Sequence, residues 1–218
     1  MSKQYVLMIS AGMMVLAACS PQSAVAPDAK AAASADTYTM AEECKDNPLL
    51  VAMPEPATIS GMKLTSIECQ PFSVKMTWVN GDKYTEMTLI DSQGPIGNLP
   101  EGLGNMARNL PLQTTMTAIS MTDGVYKAAQ KAPAGIEELG GPDYLPGVYS
   151  ASNGLKYTFD VRPKSQGGAV GALMGYMADR YVLNILAPSE GVTGVEKGKA
   201  LYAPWLAATR LSNLPKAN

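Results

Sequence analysis

Apolar and polar residues alternate through the run CQPFSVKMTWVNGDKYTEMTLID, residues 69–91. A period of two is typical of a β-strand with one buried face. Asn80-Gly81 lies in the middle of the run and suits a two-residue type I′ turn, which would pair Val79 with Asp82. The resulting register places Lys75 opposite Glu86 and gives the other face an apolar set: Phe72, Val74, Met76, Trp78, Met87 and Leu89. The pattern therefore predicts a β-hairpin.

A second hairpin is predicted around Asn153-Gly154. Its second strand alternates, which predicts a half-solvated strand. One face has Leu155, Tyr157, Phe159 and Val161, and the other has Lys156, Thr158, Asp160 and Arg162. The run Arg180 to Ala187 is apolar on both faces apart from Asn184, which predicts a central strand covered on both sides. Leu112 to Thr122 is rich in Thr and predicts a further strand, whereas the Gly- and Pro-containing flanks predict only short helical turns.

The last predicted element is a helix. Thr193 and Glu196 fit a capping box, and Pro204 predicts a kink or a break. An apolar stripe follows at helical spacing: Val195, Leu201, Tyr202, Trp205 and Leu211. Together these elements predict an α+β domain, with an antiparallel sheet of about five to seven strands and the C-terminal helix packed on one face. A partly open β-barrel around an apolar cavity is the alternative fold.

The chain begins with a signal-peptide pattern, in which Lys3 precedes an apolar run from Tyr5 to Leu16 and small residues follow. The run is shorter than the roughly 20 residues that a spanning helix needs. Its end, Leu16-Ala17-Ala18-Cys19, resembles the lipobox of bacterial lipoproteins, with a plain signal peptide or a membrane anchor as the alternatives. In that family the chain is cut before the Cys, which carries diacylglycerol on its thiol and often a further acyl chain such as palmitate. The resemblance implies that Cys19 is the lipid-bearing first residue of the mature chain.

The lipobox resemblance covers residues 1–20 and divides the chain into three parts. Residues 1–18 are the expected signal peptide, residues 19–37 the lipidated Cys with a flexible tether, and residues 38–218 a single domain. Small residues and Pro dominate the tether, which cannot bury enough apolar surface to fold. Ser20 follows the Cys in place of Asp, and in the family this favours a periplasm-facing location at the outer membrane, with the inner membrane as the alternative.

Two further cysteines, Cys44 and Cys69, remain once Cys19 is assigned to lipid. An even pair in an exported chain predicts one disulfide bond. Closing a loop of this length contributes about 3 kcal/mol in the chain-entropy model. A redox or metal-binding pair is the alternative, although the spacing is far from Cys-x-x-Cys.

Charge and composition exclude several classes of function. The chain has 17 Lys and Arg, 19 Asp and Glu, and no His. It therefore has no basic footprint for nucleic acid, and it lacks the commonest general base and metal ligand. Gly-x-Ser-x-Gly, Walker and zincin motifs are absent. Glu137-Glu138 fits a solvated surface better than a catalytic pair, so we predict no catalytic residue, metal or cofactor.

The segment GGAVGALMGYMADRY carries Gly167, Gly171 and Gly175 at every fourth position. On a helix these glycines would form a smooth ridge for close packing. Among the methionines after Cys19, Met174 and Met177 in this segment are the only close pair, whereas Met76 and Met87 are predicted core residues. Three interpretations are open: a helix packed on the sheet, which we favour, a mobile flap over a cavity, and a surface for lipid or a partner.

These features predict a membrane-anchored, periplasm-facing lipoprotein that is not an enzyme. It would bind a protein partner or an apolar ligand in envelope assembly or maintenance. The alternative is an envelope hydrolase that uses carboxylates alone, as glycosidases do with paired Asp and Glu. A deep cleft with two acids would favour the hydrolase, and an apolar groove or flat face would favour binding.

Overall fold

A computed structural model describes residues 38–55, 58–131, 141–145, 147–160 and 170–215. These residues form one eight-stranded sheet and two α-helices. The strands are β1 (Thr39–Met40), β2 (Lys63–Gln70), β3 (Ser73–Asn80), β4 (Lys83–Asp91), β5 (Tyr149–Ser150), β6 (Lys156–Phe159), β7 (Val170–Met177) and β8 (Tyr181–Pro188). The helices are α1 (Glu101–Lys131) and α2 (Val195–Ala208), and 3-10 turns lie at Glu42–Cys44, Pro48–Ala52, Pro142–Tyr144 and Leu211–Asn213.

The sheet has the strand order β1-β2-β3-β4-β8-β7-β6-β5. Only β1 and β2 pair in parallel, and the other described pairs are antiparallel. The α+β class and the C-terminal helix are confirmed, with a mixed sheet that has one strand more than the predicted upper bound. Because β1 and β5 are separate edges, the described strands do not close into a barrel.

Both faces of the sheet are covered. On one face, α2 and the 3-10 turns bury the main core, where Trp78 and Trp205 meet edge to face with ring centroids 5.2 Å apart. On the other face, α1 crosses β4, β6, β7 and β8. The central position predicted for residues 180–187 is confirmed: β8 lies between β4 and β7, and it buries Val182 beneath α1 and Leu183 in the main core.

The first predicted hairpin forms, but its turn is one residue further along. Gly81 and Asp82 connect the strands, and Asn80 pairs with Lys83. Gly81 has a φ of 63°, whereas the φ of Asp82 is not positive. A type I′ turn requires a positive φ at both central residues and a type II′ turn only at the first, so this turn is of type II′. The register is shifted by two residues from the prediction, which preserves the predicted face of each strand residue because side chains alternate with a period of two.

The shifted register gives Lys75 a different partner, and Phe72 lies on a different face from the one predicted. Lys75 lies opposite Thr88 instead of the predicted Glu86, and it forms an ion pair of 2.8 Å with Glu68 on β2. Phe72 was predicted on the face of Trp78. It lies instead in the turn before β3 and packs on the opposite face, with a second cluster under α1 formed by Ile90, Val182 and Leu112.

The second hairpin also forms, with a longer loop than predicted. Tyr149 pairs with Tyr157, and residues 151–155 connect the strands. Asn153 accepts the N–H of Leu155 at 3.1 Å, which fixes the loop. The predicted half-solvated face is correct for Lys156, which is exposed, and wrong for Thr158, which is buried and donates to the Gly147 carbonyl at 2.8 Å. The remaining members of the predicted faces, Val161 and Arg162, lie outside the described residues.

The strand predicted at residues 112–122 is wrong, because these residues lie inside the 31-residue helix α1. The helix runs through Pro111 and through the glycines that predicted its interruption. Leu112, Thr115 and Ile119 recur at helical spacing and face the sheet. Burial of this face outweighs the local preference of Thr for strands, since most helical stability in proteins comes from packing.

The helix predicted for the glycine-rich segment is wrong as well. Residues 170–177 form strand β7, which is hydrogen-bonded to β6 on one side and to β8 on the other. Gly167 lies outside the described residues. Residues 170–177 are therefore an interior strand of the sheet and not a helix.

The C-terminal helix α2 is confirmed at Val195–Ala208. Gly194, with a φ of 84°, is its N-cap, so the predicted capping box of Thr193 and Glu196 does not form. The helix continues through Pro204 for four residues, so no break occurs there. Tyr202 and Trp205 are buried on its sheet-facing side.

The predicted disulfide bond joins Cys44 to Cys69, with Cα atoms 5.1 Å apart. It ties the first 3-10 turn to β2. The following segment begins with a second 3-10 turn because Asn47 accepts the N–H of Leu49 at 3.0 Å and Pro48 takes the first position. Asn47 also donates to the Gln70 carbonyl at 2.8 Å, which holds this turn beside the disulfide.

Candidate functional site: the outer face of helix α1

The predicted functional glycines of β7 are packed against their neighbours. A Cβ atom on Gly171 would lie 2.9 Å from the hydroxyl of Tyr202 on α2. A Cβ atom on Gly175 would lie 2.9 Å from the carbonyl oxygen of Lys156 on β6. Side chains at these positions would force the neighbouring elements apart, so the glycines permit close packing.

The structure does not bring Met174 and Met177 together. They are three residues apart on a strand, so their side chains leave opposite faces. Met174 pairs with Asn184 on the face that α1 covers, whereas Met177 packs against the main core. The two thioethers therefore do not converge on one point.

Gly171 also lines a small cavity between the sheet and α2. The cavity has a volume of about 10 Å³ and is lined by Asp160, Gly171, Ser189, Val192, Gly198, Leu201 and Tyr202. This is about the volume that one water molecule needs. A site for an apolar ligand is far larger, on the order of 300 Å³ or more, so this cavity does not accommodate one.

A partly buried ion pair lies at the other end of β7 and β8. The guanidinium of Arg180 donates to the carboxylate of Asp91 with two hydrogen bonds and stacks over the ring of Tyr181, 4.9 Å from its centroid. The hydrogen bond to Asp91 raises the pKa of Arg180, and burial raises the pKa of Tyr181. A fully paired cation of this kind is a structural tie between β4 and the β7–β8 turn.

The largest concentration of exposed apolar side chains is on α1. Leu103, Met106, Leu110 and Met121 are between 49% and 57% exposed, and Leu99 just before the helix is 43% exposed. Side chains of this size are normally buried, and scattered single exceptions need no explanation. Here they share one helix on the side away from the sheet, which makes this face the candidate functional site.

The exposed side of α1 follows a regular repeat. At alternating spacings of four and three residues it presents Leu103, Ala107, Leu110, Thr114, Thr117, Met121, Gly124 and Ala128, which we call the outer seam. None of these residues is charged, and each is exposed or half-buried. Spacing of four and three is the a and d pattern of a coiled coil, which presents a narrow apolar line to a second helix.

The charges of α1 lie away from the middle of the outer seam. Arg108 turns inward and donates to the Gly94 carbonyl and, at 2.7 Å, to Asn105. Glu101 is at the start of the helix and Lys131 at its end, and Lys127 pairs with Asp123 at 2.6 Å. Between Arg108 and Asp123 the helix has no charged residue.

Sequence reasoning missed this face because residues 112–122 were interpreted as a strand. The spacing from Leu103 to Ala128 is a signal that could have identified it. The positions after Leu110 are Thr, Met, Gly and Ala, so a count of strongly apolar residues does not reveal the repeat.

Several predicted features fall on residues that the structure does not describe. Cys19 and the pair Glu137-Glu138 are among them.

Within the described residues, no group of three or more His, Cys, Asp or Glu is arranged to hold a metal ion. None of the described helices is long and apolar enough to span a membrane. No protein-family model, curated protein or solved structure gives a significant match to this chain.

Proposed function

We propose that this protein is a non-catalytic, lipid-anchored protein of the bacterial envelope that binds a protein partner through the outer seam of α1. Cys19 would carry the lipid, and the folded domain would face the periplasm from the outer membrane. Its role would be in envelope assembly or maintenance, without a metal or cofactor.

The observation that carries this proposal is the uncharged apolar face of α1. The outer seam runs for about 38 Å along the helix, at 1.5 Å per residue. Burying apolar surface contributes about 25 cal/mol per Å², so covering the half-exposed Leu103, Leu110 and Met121 would favour association. Several large apolar side chains exposed on one side of a helix, with no charge between Arg108 and Asp123, are typical of a site of interaction.

The shape of this face favours a protein partner over a small apolar ligand. Ligand sites are concave and enclose most of the ligand surface. The exposed side of a helix is convex and cannot enclose a small molecule. A second helix, in contrast, fits its side chains between those of the outer seam.

The expected tether agrees with a binding role at a membrane. Eighteen residues lie between Cys19 and Tyr38, where the described domain begins. A flexible chain of that length has a root-mean-square span of about 25 Å. The tether would keep the domain near the membrane and let it turn to meet a partner.

Two measurements on the native protein test this proposal. Mass spectrometry of the mature N-terminus should find Cys19 acylated, and an unmodified Cys19 or a cut elsewhere would contradict the anchor. A photo-crosslinking residue at Leu110 or Met121 should capture a protein in intact envelopes. The same residue at Glu196, on the exposed side of α2, is the matched control and should not. Absence of any protein adduct at both α1 positions would overturn the docking surface.

A further inference from the structure

We infer that the partner on the outer seam is a second copy of this chain, whose α1 packs antiparallel around a two-fold axis between Thr114 and Thr117. This inference rests on the proposed function, because it assigns an occupant to the same docking surface.

The repeat of the outer seam favours a helix as the occupant. Spacing of four and three over residues 103–128 keeps the line of side chains facing a partner helix that supercoils with it. A helix that lies on a membrane usually has a broad apolar face with aromatic residues and a polar face rich in Lys and Arg. The outer seam has no aromatic residue and is flanked by few basic ones.

The sizes of the side chains favour an antiparallel copy. With the axis between Thr114 and Thr117, Leu103 faces the partner's Ala128. Ala107 then faces the partner's Gly124, and Leu110 faces the partner's Met121. The large Leu103 thus faces a small residue, whereas a parallel copy would set Leu103 against Leu103 and Ala128 against Ala128 and leave the layers uneven. A two-fold interface requires such self-complementarity, since the same patch serves both subunits.

The charges at the ends of α1 favour the same orientation. Glu101 begins the helix, and Lys127 and Lys131 lie in its last turns. In an antiparallel pair, Glu101 approaches the partner's Lys131, and the two helix dipoles oppose each other. A parallel pair would bring Glu101 beside the partner's Glu101 and Lys131 beside the partner's Lys131.

The tether makes a modest interface sufficient. Stable dimers in solution bury about 1,200 Å² or more, and one helix pair with several small side chains is at the low end of this range. Two copies held on the same membrane meet at a raised effective concentration, which strengthens a weak contact without any new interaction. The pairing is therefore expected on the membrane and at high concentration in detergent.

Disulfide trapping of the full chain in its native membrane tests both the occupant and the orientation. A chain with Leu103→Cys and a differently tagged chain with Ala128→Cys should form a mixed disulfide when they are produced together. Leu103→Cys alone is the matched control and should not dimerise, because its copies lie at opposite ends of the pair. Disulfide-linked dimers of Leu103→Cys alone would overturn the antiparallel arrangement. Absence of both the mixed disulfide and the Leu103→Cys dimer would overturn the inference that the partner is a second copy.

A charge exchange provides a second test that does not depend on new thiols. Leu110→Glu should weaken the dimer of the full chain in detergent by about a hundredfold in the dissociation constant, because it buries an unpaired charge. Mixing Leu110→Glu with Met121→Lys chains should restore a mixed dimer. An undiminished Leu110→Glu dimer would overturn the second copy, and a loss without rescue would overturn the antiparallel register. If the photo-crosslink at Leu110 captures another protein and no copy of this chain, the docking surface stands and the second copy is wrong.

Discussion

Arg180 donates two hydrogen bonds, of 2.8 and 2.7 Å, to the carboxylate of Asp91, which precedes it by 89 residues. The side chains are 19% and 9% exposed. Asp91 also accepts the N–H of Gln93 at 2.9 Å, and its own N–H donates to the Phe72 carbonyl at 2.8 Å. One carboxylate thus joins the end of β4, the loop after it and the β7–β8 turn.

Removing this carboxylate should destabilise the domain strongly. Asp91→Ala leaves the guanidinium of Arg180 largely buried without its partner, and breaking a buried pair in this way costs about 3 kcal/mol. Glu68→Gln in the more exposed pair with Lys75 is the control, and it should cost less than about 1 kcal/mol. Urea unfolding measures both changes, and equal effects would show that Asp91 has no special structural role.

The glycine at position 175 should be essential for the packing of β6 on β7. Gly175→Ala places a Cβ atom 2.9 Å from the backbone oxygen of Lys156, and we expect a loss of about 1–3 kcal/mol in unfolding free energy. Gly102→Ala on α1 is the control, because a Cβ atom there meets nothing within 4 Å. It should be neutral or slightly stabilising. A Gly175→Ala variant as stable as the parent would mean that β7 is free to move.

Stability should fall in alkaline solution. Burial raises the pKa of Tyr181 and of Tyr149 above 10.0, so the folded state holds these protons more tightly than the unfolded state. Their contribution is complete below pH 10 and is lost as the pH rises through the raised values. Thermal midpoints from about pH 8 to about pH 11 measure this loss.

A tyrosine variant separates this effect from general alkaline damage. Tyr181→Phe should show a smaller alkaline loss, although it also removes the hydrogen bond of 2.9 Å to the Pro215 carbonyl. Tyr84→Phe, at an exposed tyrosine of the first hairpin, is the control and should behave as the parent. If both variants lose stability as steeply as the parent, the buried tyrosines are not the cause.

The β7–β8 turn should accept glycine. Ala178 and Asp179 have φ values of 55° and 48°, a conformation that costs a residue with a Cβ atom about 1–2 kcal/mol. Ala178→Gly removes this strain, and after the entropy that glycine adds to the unfolded chain we expect a gain of about 0.5–1 kcal/mol. Gly81→Ala in the first hairpin is the reverse control and should destabilise. A loss with Ala178→Gly would show that the alanine side chain itself stabilises the turn.

The first hairpin shows which part of a strand can be predicted from its sequence. Met76 and Met87 were placed on one face, and they are buried opposite each other in the main core. The predicted face is correct although the predicted turn is wrong. A register shift of two residues changes the cross-strand partner of each residue but not the face on which its side chain lies. The position of the turn depended on whether Asn80 or Asp82 joins Gly81, and the local sequence did not distinguish them.

In two other regions the sequence predicts the wrong secondary structure: a strand within helix α1, and a helix where strand β7 lies. A glycine at every fourth position lies on one face of a strand as well as near one face of a helix, so Gly171 and Gly175 fit both periods. The contacts that select the strand come from β6 and β8. In α1, Thr115 is buried against the sheet although Thr-rich sequence favours strands, so only the packing reveals the helix.

The disulfide bond between Cys44 and Cys69 sets a mechanical limit at the N-terminal end of the domain. A pull on the chain before Tyr38, such as the proposed lipid anchor would transmit, would enter the fold at β1, which is a two-residue edge strand bonded to β2. Such a short strand can be peeled away, but peeling would stop at Cys44, which is covalently tied to β2 through Cys69. The pull would therefore draw out about seven residues, roughly 25 Å of chain, before the load passed to the sheet itself.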